Sequence, residues 1–441
     1  MALADVFERA AGPGAQVEFQ AYDGSTAGQV GSGIRVVVRS PVAVSYLAQA
    51  PGGLGLARAY VAGHLEVEGD MYAALVRLSK AQLNAMDWPE RLRVLRQLGG
   101  MKILFPRVPP PPQEVRLNRR RLSGRRHSKQ RDAGAISHHY DVSNRFYEWV
   151  LGPSMAYTCA CYPHPEASLE QAQAYKFDLV ARKLGLRPGM RLLDVGCGWG
   201  GMVRHAAREY GVRALGVTLS RQQAEWAQRA IGAAGLDGLA EVRHLDYRDV
   251  AEGDFDAISS IGLTEHIGKA QLPGYFSFLY GKLKPGGRLL NHCITRPDNR
   301  EPAIRRGGFI NRYVFPDGEL EGPGFLVSLA HDCGFEVRHE ENLREHYAQT
   351  LAGWCANLDA HWEEAVAEVG AGTARVWRLY MAGSRLGFER NHIQLHQVLC
   401  VRLTAEGASG MPLRPDWEAA AEPKGAVPPE ASGVLAPEPA A

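Results

Sequence analysis

The chain has 441 residues, 45% hydrophobic and 22% charged, with a formal net charge of +2. That length exceeds one ordinary core and predicts two domains with connections, while the small net charge excludes a protein that is basic over its whole surface. Seven cysteines with no CxxC pair and no Cys/His zinc spacing predict reduced thiols and no metal site. The first residues lack a basic start and apolar core, and no uncharged apolar run approaches ~18 residues. The expectation is a cytoplasmic protein whose membrane contact is peripheral.

Residues 1–105 mix short β-like runs (Val17–Phe19, Ile34–Val38) with helical patterns (Gly55–Ala62, Met71–Asn84), which predicts a small α+β domain. Val108 and Pro109–Pro112 form a stiff breaker within a linker spanning 106–132. The linker continues as a basic run from Arg116 to Arg131 with almost no acid. Such a run reads either as a solvated connection or as a patch for anionic headgroups, at roughly 1 kcal/mol per basic residue near the surface. No base-reading motif or aromatic interleaving accompanies it, so nucleic acid is not expected as a partner.

From 133 to 404 strands alternate with helices. The strand candidates are Arg191–Val195, Ala214–Thr218, Glu241–Leu245, Phe255–Ser260 and Arg288–Ile294, with Phe335–His339 and Gln394–Val401 completing the set. That order predicts an α/β fold built on a doubly wound, mainly parallel, seven-stranded sheet. Residues 405–441, rich in Ala, Pro, Glu and Gly, are expected to be disordered.

Leu192 to Gly201 runs from an apolar strand into glycines and then a helix, with Asp194 at the strand end and Gly196, Gly198 and Gly200 in the turn. Glycine is required where backbone approaches a ligand closely or turns with positive φ. The spacing departs from GxGxxG, and an Asp just before the turn is how the first motif of a methyltransferase looks, so S-adenosylmethionine is expected rather than a dinucleotide. The second strand ends in Thr218, Leu219 and Ser220, without the acid that would bind ribose hydroxyls. Thr218, Ser220, Gln222 and Gln223 are the candidate substitutes, and Asp246 the candidate acceptor for the adenine amino group.

Taken together, the motifs His139–Asn144, Met155–Ala160, the glycine turn, Gly216–Ser220, Asp246–Asp249, Gly262–Gly268 and Tyr313–Gly318 resemble the cyclopropane-fatty-acyl-phospholipid synthase and mycolic acid methyltransferase family. Residues 1–105, including Ala59–Gly63, look like the small N-terminal domain of its full-length members. The resemblance implies a class I S-adenosylmethionine-dependent methyltransferase with Tyr157 and Thr158 beside the cofactor. It also implies a bicarbonate ion held by Cys159, Glu265, His292, the backbone of Ile294, and Tyr347. Each residue alone has an ordinary reading: Cys159 as a small buried hydrophobe, His292 as a satisfied core histidine, Tyr347 as a packing residue. Glu265 is the hardest to read so, because it follows an apolar strand at the carboxyl end where open α/β sheets place ligands and a buried carboxylate is costly without a partner.

The implied reaction is C-methylation of the double bond of an unsaturated acyl phospholipid. An alkene is a poor nucleophile, so the sulfonium methyl must be positioned in line. The resulting carbocation needs a dry, apolar tunnel, with Tyr140, Phe146, Tyr157 and Tyr313 as candidate walls. Proton loss from that cation closes a cyclopropane ring; after a hydride shift it gives an exocyclic methylene. The strings Ser137–Tyr140 and Leu290–Pro297 look more like the methylene-forming, tuberculostearic-type branch, which implies a partner reductase. The N-terminal domain is expected to dock on the inner face of the membrane or to mediate a homodimer. A non-catalytic lipid-binding protein on the same fold, or a small-molecule O- or N-methyltransferase, is the competing reading.

Overall fold

The computed structural model describes residues 2–12, 15–79, 100–114, 127, 129, 143–302 and 307–417. The basic run apart from His127 and Lys129, the motif from His139 to Val142 with Tyr140, the part of the Met71–Asn84 helix beyond Ser79, and the tail beyond Trp417 lie outside the described residues.

The N-terminal unit holds strands β1 (Glu18–Ala21), β2 (Thr26–Gly28), β3 (Arg35–Val38) and β4 (Leu65–Glu68) in the order β2-β1-β3-β4. Alternation sets its core face: Val36, Val38, Leu65 and Val67 are buried while their neighbours are not. The helices Leu3–Ala11, Pro41–Gln49, Gly53–Val61 and Met71–Ser79 surround it. Four of these elements are absent from the sequence reading: Leu3–Ala11, Pro41–Gln49, β2 and β4. Pro41 at the first helical position after Ser40 is the signal that marked the second of them. Residues 105–114 run along Pro41–Gln49, tied by the Tyr46 hydroxyl to the Pro109 carbonyl at 2.7 Å and by Gln49 Oε1 to the Val108 N–H at 2.9 Å.

The second sheet has seven strands: β5 (Arg191–Val195), β6 (Arg213–Thr218), β7 (Ala240–His244), β8 (Phe255–Ile261), β9 (Leu283–Thr295), β10 (Glu336–Asn342) and β11 (Gln394–Val401), in the order β10-β11-β9-β8-β5-β6-β7. β7, β6, β5, β8 and β9 are parallel; β11 is antiparallel to both its neighbours. Chain order reverses between β5 and β8, which opens a crevice at their carboxyl ends. The central strands read as apolar runs because helices cover both faces. One of those helices, Leu169–Leu184, is bounded by a capping box from Ser168 and Gln171 and ends at Gly185 in the left-handed region.

The two units share their cores. Val61 joins a cluster with Phe146, Trp354 and Trp377, and Ala382, on the helix Ala371–Glu389, joins the N-terminal cluster. Arg375 bonds Glu66 at 2.6 Å, and Glu114 takes a two-pronged contact from Arg58 at 2.6 Å while accepting from Tyr313 at 3.2 Å.

Of the tail expected to be disordered, residues 405–417 are among those described. Up to Trp417 it lies on the catalytic unit, where Trp417 meets the His339 ring at 5.7 Å and its carbonyl accepts from Arg182. The partly buried Trp417 ring packs against the hydrophobic cluster there. His127 and Lys129 also differ from a free basic patch: His127 lies within 3.1 Å of the His266 carbonyl and 3.3 Å of Glu319, and Lys129 pairs with Asp249.

Candidate active site

Two cavities meet at the carboxyl ends of β5, β8 and β9. The smaller, about 80 Å³, is lined by the glycine turn (Gly196, Gly198), Asp194, Lys176, Gln223 and Trp199. The larger, about 920 Å³, is lined by Cys159, Glu265, His292, Ile294 and Tyr347, so all five residues of the implied anion site face one space. Tyr157, Thr158 and Gly262 line both. A group held in the first cavity and a chain held in the second would therefore be separated only by that partition.

Sequence-predicted cofactor residues divide. Tyr157, Thr158, Asp194, Gly196, Gly198 and Gln223 line the smaller cavity. Thr218 stands behind Gln223, donating from Oγ1 to Gln223 Oε1 at 2.9 Å. Four others do not reach the lining. Gly200 turns the chain at φ +72°, and a side chain there would meet Ala227 and Val242 at 3.1 and 3.3 Å. Ser220 caps the following helix by accepting from the Gln223 N–H. Gln222 is exposed on that helix. Both carboxylate oxygens of Asp246 accept from Arg248, at 2.8 and 2.6 Å.

Lys176 was not visible as a site residue, although its position carried a signal. It lies on the buried face of Leu169–Leu184 with Gln173, Phe177 and Val180, where helical spacing calls for an apolar side chain. Its ammonium bonds Thr158 Oγ1 at 3.0 Å, and burial lowers its pKa to about 8. Burial likewise raises Asp194 to about 7, against the pull of a 2.6 Å bond from Ser259 and of Lys176. An opposed lysine and carboxylate beside positive-φ glycines suit a zwitterionic ligand such as the methionine end of S-adenosylmethionine.

Within the larger cavity, Glu265 Oε1 accepts from the Ile294 N–H at 2.7 Å, whereas Oε2 is buried without a hydrogen-bond partner. Burial raises this carboxyl to about 7, with the Ile294 and Glu265 N–H groups opposing. His292 Nε2 is also buried and unpartnered. Its tautomer follows from its neighbours. Lys183 can only donate, and its bond to Gln397 Oε1 at 2.7 Å turns the amide so that Gln397 Nε2 donates to His292 Nδ1 at 3.2 Å. Nδ1 is thereby an acceptor, and the proton sits on Nε2, facing the cavity. Burial, with Lys176 and Lys183, holds the imidazole pKa well below its usual value, so the ring is neutral.

A small oxyanion between Glu265 Oε2 and His292 Nε2 would satisfy both orphaned atoms, accepting from the imidazole and from a protonated carboxyl. The Cys159 thiol is turned to the Ala160 carbonyl at 3.1 Å, and burial keeps its pKa well above the ordinary value, so it stays a neutral thiol. Of the aromatic walls expected, Tyr157 lines the cavity; Phe146 is fully buried against Trp377, and the Tyr313 hydroxyl is tied to Glu114. Tyr60, Tyr380 and Phe388 take wall positions that sequence reasoning did not find.

The family described as Mycolic acid cyclopropane synthetase matches residues 127–398. A probable fatty acid methyltransferase of Mycobacterium tuberculosis is 57% identical over 91% of this chain and 95% of its own length. A probable fatty acid methyltransferase of Pseudomonas putida is 40% identical over 86% of this chain and 90% of its own. Among solved structures, a mycolic acid cyclopropane synthase complexed with S-adenosylhomocysteine and CTAB superposes with a TM-score of 0.57 at 33% identity, over 61% of this chain and 97% of that one.

Proposed function

Because the chain belongs to the mycolic acid cyclopropane synthetase family and is a methyltransferase, we propose that it methylates a double-bond carbon of an unsaturated fatty acyl chain carried by a membrane phospholipid, giving a methylene-branched chain. The observation that carries this reading is the pair of unpartnered atoms, Glu265 Oε2 and His292 Nε2, facing an apolar cavity that shares a wall with the cofactor cavity. S-adenosylmethionine, held by Asp194, Lys176 and the glycine turn, would supply an electrophilic methyl group. Bicarbonate, held by Glu265, His292 and Tyr347, would supply a basic oxygen.

The chain's own residues do the rest. Tyr157, Thr158 and Gly262 separate donor and acceptor and limit the alkene to one approach. The alkene electron pair would form the new C–C bond to the methyl carbon as that carbon's C–S bond breaks with its pair leaving on sulfur, so positive charge is left on the neighbouring carbon of the acyl chain. Tyr157 and Tyr380 present rings to that region, and the apolar lining withholds water that would otherwise trap the cation. A hydride shift followed by loss of a proton from the new methyl group yields the exocyclic methylene, which a partner reductase would convert to a methyl branch. His292, with its proton fixed on Nε2, orients the base, and Glu265 carries or yields a proton near neutral pH. Direct ring closure to a cyclopropane is the second reading, favoured by the solved neighbours named as cyclopropane synthases.

The test uses purified protein, oleoyl phospholipid vesicles and methyl-labelled S-adenosylmethionine. Label in the acyl fraction, one methylene heavier by mass spectrometry and absent in Glu265→Gln, is expected; NMR separates olefinic methylene protons from ring protons. Label confined to the aqueous pool would favour a small-molecule methyltransferase, and folded, cofactor-binding protein that labels nothing would favour a non-catalytic lipid binder.

A further inference from the structure

The larger cavity is only partly built by the catalytic unit. Its remaining wall comes from the N-terminal sheet and two of its helices. Val36 and Val67, directly paired across β3 and β4, lie on one face of that sheet and line the cavity. Met71, Leu75 and Leu78 follow at helical spacing on one side of Met71–Ser79 and line it too. Every N-terminal residue in the lining is uncharged, whereas five of the cavity's catalytic-unit residues, Glu265, His266, His292, Arg296 and His392, carry acidic or basic side chains. The cavity thus has a chemical end and an oily end. The N-terminal unit is held there by the shared core and by the bonds at Glu66 and Glu114. The family match begins at residue 127, so none of these wall residues belongs to it.

We infer that the N-terminal domain is part of the acyl site: its sheet-and-helix face receives the methyl-terminal segment of the chain and selects substrates by that segment's length. The orientation follows from solvation. An ester and a phosphate must stay wet, and most of the exposed lining residues, Pro51, Gly53, Gly307, Gly308 and Ile310, form one rim where the helix Phe309–Tyr313 packs on Gly53–Val61, with Gly383 and His392 exposed besides. The buried apolar end, at Val36, Val67 and Met71, is left for hydrocarbon. At about 920 Å³ the space sits near the upper end of the ~300–1,000 Å³ usual for small-molecule sites.

This inference rests on the acyl-lipid reading above, and a binding measurement separates the two. The full chain is mixed with phosphatidylglycerol vesicles whose acyl chains end in a photoreactive diazirine, irradiated, and mapped by peptide mass spectrometry. Adducts at Val36, Val67, Met71, Leu75 or Leu78 are expected; adducts confined to residues 143–417 overturn the inference. In the second arm, vesicles carry monounsaturated chains differing in length beyond the double bond. Leu75→Trp should shift the product ratio toward shorter segments by roughly tenfold, the discrimination that a methylene's worth of space gives an apolar pocket, and Leu75→Ala should shift it the other way. Unchanged ratios in both variants, with S-adenosylhomocysteine affinity retained, overturn the inference. Adducts on the N-terminal wall without methyl transfer to any alkene would sink the proposed chemistry and leave the acyl site standing.

Discussion

Glu265→Gln separates the stability of this site from its chemistry. The glutamine keeps an oxygen for the Ile294 N–H and nearly the same volume, and removes only the ionisation. In the fold, burial raises the carboxyl to about 7 from an ordinary 4.5, so the folded state holds its proton more tightly than the unfolded chain does. A raised pKa contributes stability that is fully present below about pH 4.5 and is lost as pH rises through about 7. At 1.36 kcal/mol per pH unit, that interval is worth about 3 kcal/mol. Wild type should therefore lose up to about 3 kcal/mol between pH 4.5 and 8 through this one group, and Glu265→Gln should not. Urea unfolding in bicarbonate-depleted buffer at pH 5, 7 and 8 reads the difference. The variant should match wild type near pH 5, exceed it at pH 8, and be inactive throughout. A variant less stable than wild type at pH 8, or a gap that does not change with pH, would show that Glu265 is not a strained buried acid.

Three further outcomes are expected. Lys176→Met removes a buried charge beside the cofactor cavity and should weaken S-adenosylhomocysteine binding by roughly tenfold or more, since a charged hydrogen bond contributes about 1.5–3 kcal/mol; calorimetry showing an unchanged affinity refutes this. Gly200→Ala forces a side chain into the left-handed region against Ala227 and Val242, and should lower stability by about 1–2 kcal/mol, measured by denaturant midpoint. Glu114→Ala strands Arg58 beside Tyr313 and should cost about 3–5 kcal/mol, as broken buried pairs do, with faster proteolysis near residue 114; equal proteolysis rates argue against a joint there.

The catalytic sheet was legible because parallel, doubly covered strands write themselves as apolar runs: five of its seven strands begin and end within one residue of the expected bounds, while β9 starts at Leu283 rather than Arg288 and β10 runs past His339 to Asn342. The candidate anion-site residues were nominated only through the family resemblance, since a cysteine, a glutamate, a histidine and a tyrosine far apart in the chain share no periodicity. What local pattern could not supply was third-party geometry. Nothing in the motif around Asp246 says that Arg248 folds back onto it. Ser220 also caps a helix, and a cap and a binding hydroxyl use the same residue type. The N-terminal wall was illegible for another reason: Val36, Val67 and Leu75 read as ordinary core positions, and only the packing of two units leaves space between them.

The bonds from Glu341 through Lys183 and Gln397 to His292 cross the sheet from a half-exposed side chain on β10 to the interior cavity. β10 is an edge strand, and edge strands ordinarily tolerate exchange of their outward residues. Here the charge on that edge is read, three side chains inward, as the location of a single hydrogen. Two relatives that agree at every cavity residue but differ at 183 or 397 would present different imidazole tautomers to the same ligand. Comparing lining residues alone would rate them interchangeable, when a change outside the cavity has already altered which ring nitrogen offers it a hydrogen.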